Sequence, residues 1–259
     1  MDKFFTINSP HADGTQLAIR QEDGDPARPV FVWLGGFRSD MMGTKAEAMV
    51  AQAAQLGCGS IRFDYSGHGE SGGRFEAGTI SHWVADSLAV LRHCAPEQVI
   101  LVGSSMGGWI ALRLVQELRR QAKGPEVSAL LLVAPAPDFT KRLMQPAFSQ
   151  DDHASMAQRG FVEQPSDYSD EPTIITRALI EDGTKNCVLD GDLEVGCPVR
   201  ILQGMQDPDV PYTHALDLVN ALVHDDVVIT MVRDGDHRLS RDEDIERLTR
   251  MMGEVAAFV

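Results

Sequence analysis

The stretch Val99-Ile-Leu-Val-Gly-Ser-Ser-Met-Gly-Gly-Trp109 constrains the fold more than any other part of the chain. Its apolar, β-branched start reads as a buried strand, GSSMG is a G-x-S-x-G turn, and the residues after it continue with helical spacing. A strand that reverses sharply into a helix leaves the turn residue, Ser105, above the carboxyl end of a sheet, with Gly103 and Gly107 allowing strand and helix to approach closely. The N–H of Met106 then lies at a helix N-terminus, where it can donate to a developing oxyanion.

Around this turn, short β-branched runs alternate with longer helical stretches. The strand candidates are Phe4–Asn8, Gln16–Gln21, Val30–Leu34, Ser60–Tyr65, Gln98–Val102, Ala129–Ala134, Val199–Gln203 and Val227–Val232. The first two, joined by ADGT, suggest an antiparallel hairpin. VFVWL, VILV and ALLLV are apolar at every position, as strands covered on both faces must be, and this predicts a mostly parallel eight-stranded sheet with helices on both sides. Helices are expected near 44–56, 79–94, 106–122, 212–223 and 241–258, two of them opened by the capping pairs Thr44 with Glu47 and Ser240 with Glu243. After Pro135 no sheet strand follows until Val199, too long an interval for a simple connection. The expected α/β architecture is therefore a core of residues 1–136 and 196–259, with a small helical cap, 137–195, inserted in the same domain.

Composition narrows the partners. The net charge of −15 repels phosphate backbones and anionic lipid, so nucleic acid is excluded as a partner. Between residues 150 and 194 stand eleven Asp and Glu against three Lys and Arg, a solvated surface. The longest apolar run, Ala129–Ala134, is six residues, against the roughly 20 that a membrane helix needs. Neither a secretory nor an Arg-rich presequence pattern opens the chain, and a cytoplasmic location is expected. Cys58, Cys94, Cys187 and Cys197 lie far apart without a C-x-x-C pair, as reduced structural thiols do, and neither a metal nor a cofactor is implied. Oligomeric state is not legible.

A serine hydroxyl is a weak nucleophile unless a base takes its proton, so Ser105 requires a histidine and a carboxylate behind it. His237, in RDGDHRLS after the last strand, is the candidate base, whereas His68 in a glycine turn reads as structural. Asp207, in LQGMQDPDVP directly after the strand Val199–Gln203, is the candidate acid; Asp209 and Asp138 compete with it. Phe37, after Gly35 and Gly36 in the loop following the third strand, is placed to offer a second oxyanion N–H beside that of Met106. Leu143, Met144, Phe148, Met156, Phe161 and Val162 supply the insertion with apolar groups, either for an acyl slot over Ser105 or for a satellite core. Arg38 and Arg238 flank the site as candidate partners for a substrate carboxylate or as solvated surface arginines.

At these residues the chain resembles the alpha/beta-hydrolase superfamily over nearly its whole length. Within it, GGFRSDMMGTKA, IRFDYSGHGES, ILVGSSMGGW, CPVRILQGMQDPDVP and DHR resemble the palmitoyl-protein thioesterase and acyl-glucuronide esterase family. The resemblance implies Ser105, Asp207 and His237 as nucleophile, acid and base. It also implies a small-molecule ester or acylated-thiol substrate cleaved through an acyl-enzyme. A general carboxylesterase, and a slowly turning ligand receptor on a hydrolase scaffold, are the alternatives.

Overall fold

The computed structural model describes residues 2–11, 14–121, 124–166 and 169–258. Eight strands form one sheet: β1 (Lys3–Asn8), β2 (Gln16–Glu22), β3 (Val30–Leu34), β4 (Ser60–Phe63), β5 (Gln98–Ser104), β6 (Glu126–Val133), then β9 (Val199–Gly204) and β10 (Val227–Val232). Their order is β1-β2-β4-β3-β5-β6-β9-β10. The pairs β1 with β2 and β2 with β4 are antiparallel, and all the others are parallel.

The all-apolar strands have the two-sided burial that their composition demands. Along β5, Val99 and Leu101 enter one core while Ile100 and Val102 enter the other, the period of two that separates a sheet's faces. The first core packs α2 (Ile80–Cys94), α3 (Met106–Arg120) and α7 (Tyr212–Ala221) through Trp83, Leu91, Trp109, Leu114 and Leu218. The second packs α1 (Thr44–Gln55) and α8 (Asp242–Ala256) through Met49, Ala53, Leu248 and Met252.

Both expected caps lie one residue away from the observed N-caps. Gly43, not Thr44, is the N-cap of α1, because the Glu47 carboxylate is drawn to the buried Arg62 guanidinium. Arg241, not Ser240, precedes α8; Asp244 accepts from its backbone N–H and its Nε, while the Ser240 hydroxyl donates to the Arg238 carbonyl at 2.9 Å.

Between β6 and β9 the chain makes its long excursion. A π-wound stretch, Thr140–Met144, runs into the single turn α4 (Gln145–Ala147), and α5 (Gln150–Gln158) follows behind a Ser149 and Asp152 capping box. The expected helical segment also holds an antiparallel hairpin, β7 (Phe161–Ser166) and β8 (Ser169–Thr176), before α6 (Arg177–Lys185). The hairpin gains its own buried pair, Val162 opposite Ile175, each 1% exposed, and both lie outside the two main cores. Cross-strand burial of β-branched residues explains why FVEQ and TIIT prefer strand to helix.

Candidate active site

The turn between β5 and α3 holds Ser105 at φ 54 and ψ −117, backbone that costs a non-glycine residue on the order of 1–3 kcal/mol and persists only where the surroundings fix it. Here they do. The Ser105 N–H donates to Val133 O at 2.9 Å, and Ser105 O accepts from Gly108 and Ala136. The tight approach needs its glycines, since a Cβ on Gly107 would stand 1.9 Å from Leu34 O, and one on Gly103 2.5 Å from Gly107 O.

Three side chains meet above this turn. His237 Nε2 lies 3.0 Å from Ser105 Oγ, and His237 Nδ1 lies 2.8 Å from Asp207 Oδ2. With Nδ1–H donating to the carboxylate, Nε2 is left as the acceptor for the serine hydroxyl, the tautomer a general base requires. Asp207 has no exposed side-chain surface. Its Oδ1 accepts from the N–H groups of Asp209 and Val210, and its Oδ2 also accepts from Gln203 Nε2 at 3.3 Å. Those bonds hold the carboxylate with an oxygen toward the imidazole. Gln203 is not among the sequence candidates, although an amide at the carboxyl end of the fully buried strand VRILQG, four residues before the acid, is the signal for such a bracket.

Of the competing acids, Asp209 is exposed and turns its N–H to Asp207. Asp138 is fully buried at φ 55 and accepts from the N–H groups of Val188 and Leu189, pinning the returning end of the excursion to its start. Burial pushes its carboxyl above the ordinary value.

The loop after β3 reaches the serine through Gly36, where a Cβ would lie 3.4 Å from Ser105 Cβ. Among the described residues, neither the Phe37 N–H nor the Met106 N–H is paired with a protein acceptor. His68 fixes the loop from the other side. Its Nε2 accepts from the Arg38 N–H at 3.3 Å, and its Nδ1 donates to Ser66 O at 3.3 Å. Burial, aided by the nearby Arg38 charge, lowers its pKa to about 4, so the ring is neutral. The turn bearing His68 is itself anchored by Asp64, which accepts from Met41 and Glu70, and by Asp86, which accepts from Ser9 and Ser66.

Rings line the space beside Phe37. Phe75, Trp83 and Phe139 stand 4.8, 6.1 and 5.6 Å from it, and Trp109 packs on Phe139 at 5.4 Å. Of the insertion's apolar candidates, Leu143 and Met144 pack against the core that contains Met106 and Trp109. Leu143 also lines a cavity of about 280 Å³ with Pro211 and His214. Phe148 instead packs edge-on against His153, and Phe161 lies under the Arg159 guanidinium, so both rings make their contacts inside the excursion itself. Arg38 stands over Phe75, and its Nη1 donates to Pro172 O and Thr173 Oγ1 of the hairpin. The guanidinium so bracketed is still exposed. Arg238 is exposed beside His237.

Two trios of side chains have donor atoms close enough for a cation, Asp138 with Cys187 and Asp190, and Asp207 with Asp209 and His237. Each is already engaged, the first with backbone N–H groups and Lys141, the second with Ser105.

A parallel sheet with a strained serine elbow at its carboxyl edge defines the class, an alpha/beta hydrolase. The hydrolase family described as serine aminopeptidase, S33, matches residues 26–177, and the chain belongs to it. The human mitochondrial palmitoyl-protein thioesterase ABHD10 is 34% identical over 93% of this chain and 76% of its own length. A putative hydrolase from Agrobacterium vitis superposes with TM-score 0.96 at 52% identity over 99% of both chains. Mouse alpha/beta hydrolase domain-containing protein 10 gives 0.86 at 30%, covering 98% of each. The Butyrivibrio proteoclasticus protein Est1E with ferulic acid bound, at 0.77 and 20%, shares the fold. The chain is thus an enzyme of hydrolytic type, and among the described residues no helix is long and apolar enough to cross a membrane.

Proposed function

We propose that this hydrolase cleaves acyl thioesters or carboxylic esters through an acyl-enzyme. The observation that supports this most is the continuous chain from Asp207 through His237 to Ser105 Oγ, at 2.8 and 3.0 Å. Ser105 Oγ attacks the acyl carbonyl while His237 Nε2 takes its proton, and Asp207 stabilises the imidazolium that forms. The N–H groups of Phe37 and Met106 receive the negative charge on the carbonyl oxygen. Collapse of the tetrahedral species breaks the bond to the leaving thiol or alcohol, which receives the proton from His237. Water then attacks the acyl-serine with His237 again as base, releasing the acid and restoring Ser105. The 34% identity with a thioesterase places thioesters alongside oxygen esters in this reading.

Residues 137–195 act as a cap within the same domain, and the acyl chain lies against Phe37, Phe75 and Phe139, with Leu143 and Met144 closing its far side. The four thiols are unpaired, a state that a reducing compartment such as the cytoplasm preserves. Turnover across p-nitrophenyl esters and acyl thioesters of graded length tests the proposal. Each methylene that enters the apolar site should add up to about 0.8 kcal/mol of specificity until the site is full. Absence of fluorophosphonate labelling at Ser105, or kcat/KM flat from acetyl to decanoyl, would remove the mechanism or the acyl site respectively.

A further inference from the structure

We infer that Lys45 is a positioning residue for His237, holding the loop that carries the imidazole to the helix that follows the oxyanion loop. The inference rests on the serine-hydrolase reading, because it concerns the base of that reaction. Lys45 is the second residue of α1, and its Nζ donates to the carbonyl of Arg238, the residue directly after His237. The same carbonyl accepts from Ser240 Oγ at 2.9 Å, and Ser240 Oγ stands 3.5 Å from Lys45 Nζ.

On its other side the histidine loop is tied to the acid loop by the His237–Asp207 pair and by two backbone bonds, Gln206 N–H to Gly235 O at 2.9 Å and Met205 N–H to Val232 O at 2.8 Å. The backbone bonds end at Gly235. Beyond it the loop passes through His237 into Leu239 at φ 44, whose N–H donates back to Asp236 Oδ1. Lys45 is a side chain from another element that grips the main chain of the downstream half of this loop, between the imidazole held by Asp207 and the buried Leu239. Loss of the grip lets the imidazole shift relative to Ser105, and displacements of an ångström near a reacting atom are costly in rate.

The charged groups facing Lys45 are Asp236 and Arg238 on the histidine loop and Asp244 at the start of α8, the last of these already paired with Arg241. Asp236 and Asp244 favour the ammonium and Arg238 opposes it, but burial dominates and lowers the Lys45 pKa to about 8. The charge that strengthens the bond to Arg238 O is thus lost within a pH range that hydrolases tolerate.

The test is the pH profile of kcat, between about pH 6 and 10, for the full-length enzyme and its Lys45→Met, Lys45→Gln and Lys45→Arg variants on one p-nitrophenyl ester, with Ser105→Ala as reference. Wild-type kcat should fall above an apparent pKa near 8. Lys45→Met should lower kcat about tenfold or more at neutral pH, keep KM within about twofold, and lose the alkaline fall. Lys45→Gln, a neutral donor, should recover part of kcat without the fall, and Lys45→Arg should move the fall beyond the range scanned. A folded Lys45→Met enzyme with wild-type kcat and the fall still in place overturns the inference. Should Lys45→Met not fold, a fall that stays near its wild-type position in both Lys45→Gln and Lys45→Arg overturns it equally. Activity that survives Ser105→Ala would instead sink the hydrolase mechanism, an outcome distinct from either.

Discussion

The turns that bring Ser105, Asp207 and His237 together and the excursion between β6 and β9 occupy the same end of the sheet but are fastened differently. The turns are laced by backbone bonds between ends of neighbouring parallel strands, Ser105 to Val133, Met205 to Val232 and Gln206 to Gly235. Such bonds are indifferent to side-chain identity. The excursion is held by particular side chains. Asp138 grips Val188 and Leu189, Asp182 receives the Ser81 N–H and hydroxyl, Arg38 reaches Thr173, and Lys141 pairs with Asp190. The candidate site therefore sits on turns framed by main-chain bonds and by glycines that cannot carry a Cβ, and the excursion on contacts that a few side-chain substitutions can remove.

The sharpest break between the two regions is catalytic. Ser105→Ala and His237→Ala should each reduce turnover on the order of 10⁴-fold or more with the thermal midpoint retained, and Asp207→Asn should reduce it roughly 10²- to 10⁴-fold. Asp138→Asn turns an amide N–H toward the Leu189 or Val188 N–H. It should cost about 1–3 kcal/mol in urea denaturation while turnover stays within a few-fold. Reversal of that pattern would make Asp138 the acid.

A second measurement probes the turns alone. His68 has its folded pKa lowered from 6.5 to about 4, so the unfolded chain binds a proton there that the folded one refuses. Its neutral ring contributes stability above the unfolded value, and that stability is lost as pH falls through the folded one, up to about 3 kcal/mol. His68→Gln should be less stable at neutral pH but lose less of its urea midpoint between pH 7 and about 4.5. An identical loss in both proteins would show that the ring already accepts a proton in the fold.

The smallest effect belongs to the excursion. Arg38→Ala removes an exposed bracket and should cost no more than about 1 kcal/mol globally, yet speed thermolysin cleavage within residues 161–176. Unchanged cleavage would mean that Val162 and Ile175 hold the hairpin without help.

The same contrast sets what was legible in the sequence. Val30–Leu34 was read to the residue because two-sided burial forces an unbroken apolar run, and the edge strand Val227–Val232 because its β-branched residues sit between Asp226 and Arg233. Ser105, Asp207 and His237 were legible as candidates because each follows the carboxyl end of a parallel strand. The hairpin of the excursion was not, since FVEQPS is short, polar in part and carries a proline, and only pairing with SDEPTIIT makes it a strand. Lys45 and Gln203 escaped assignment for a related reason, whereas His68 was read as structural from its glycine turn. The partner of Lys45, Arg238 O, is remote in sequence and a main-chain group without any sequence signature, and Gln203, though only four residues before Asp207, meets it only once the turn after β9 folds the carboxylate back.

One consequence follows from the strand order. β6 and β9, between which the excursion leaves and returns, are neighbours in the sheet, with Leu130 opposite Val199 and Val133 opposite Leu202. The closure that the excursion must satisfy is therefore already made by the sheet, and its length enters stability only logarithmically, at about 0.6 kcal/mol per doubling. The position is a splice point. Under the proposed function, a segment of different size and lining, exchanged there with its ends matched to Ala136 and Cys197 and its core contacts to Trp109 and Leu218 kept, is expected to change selectivity without rebuilding the sheet.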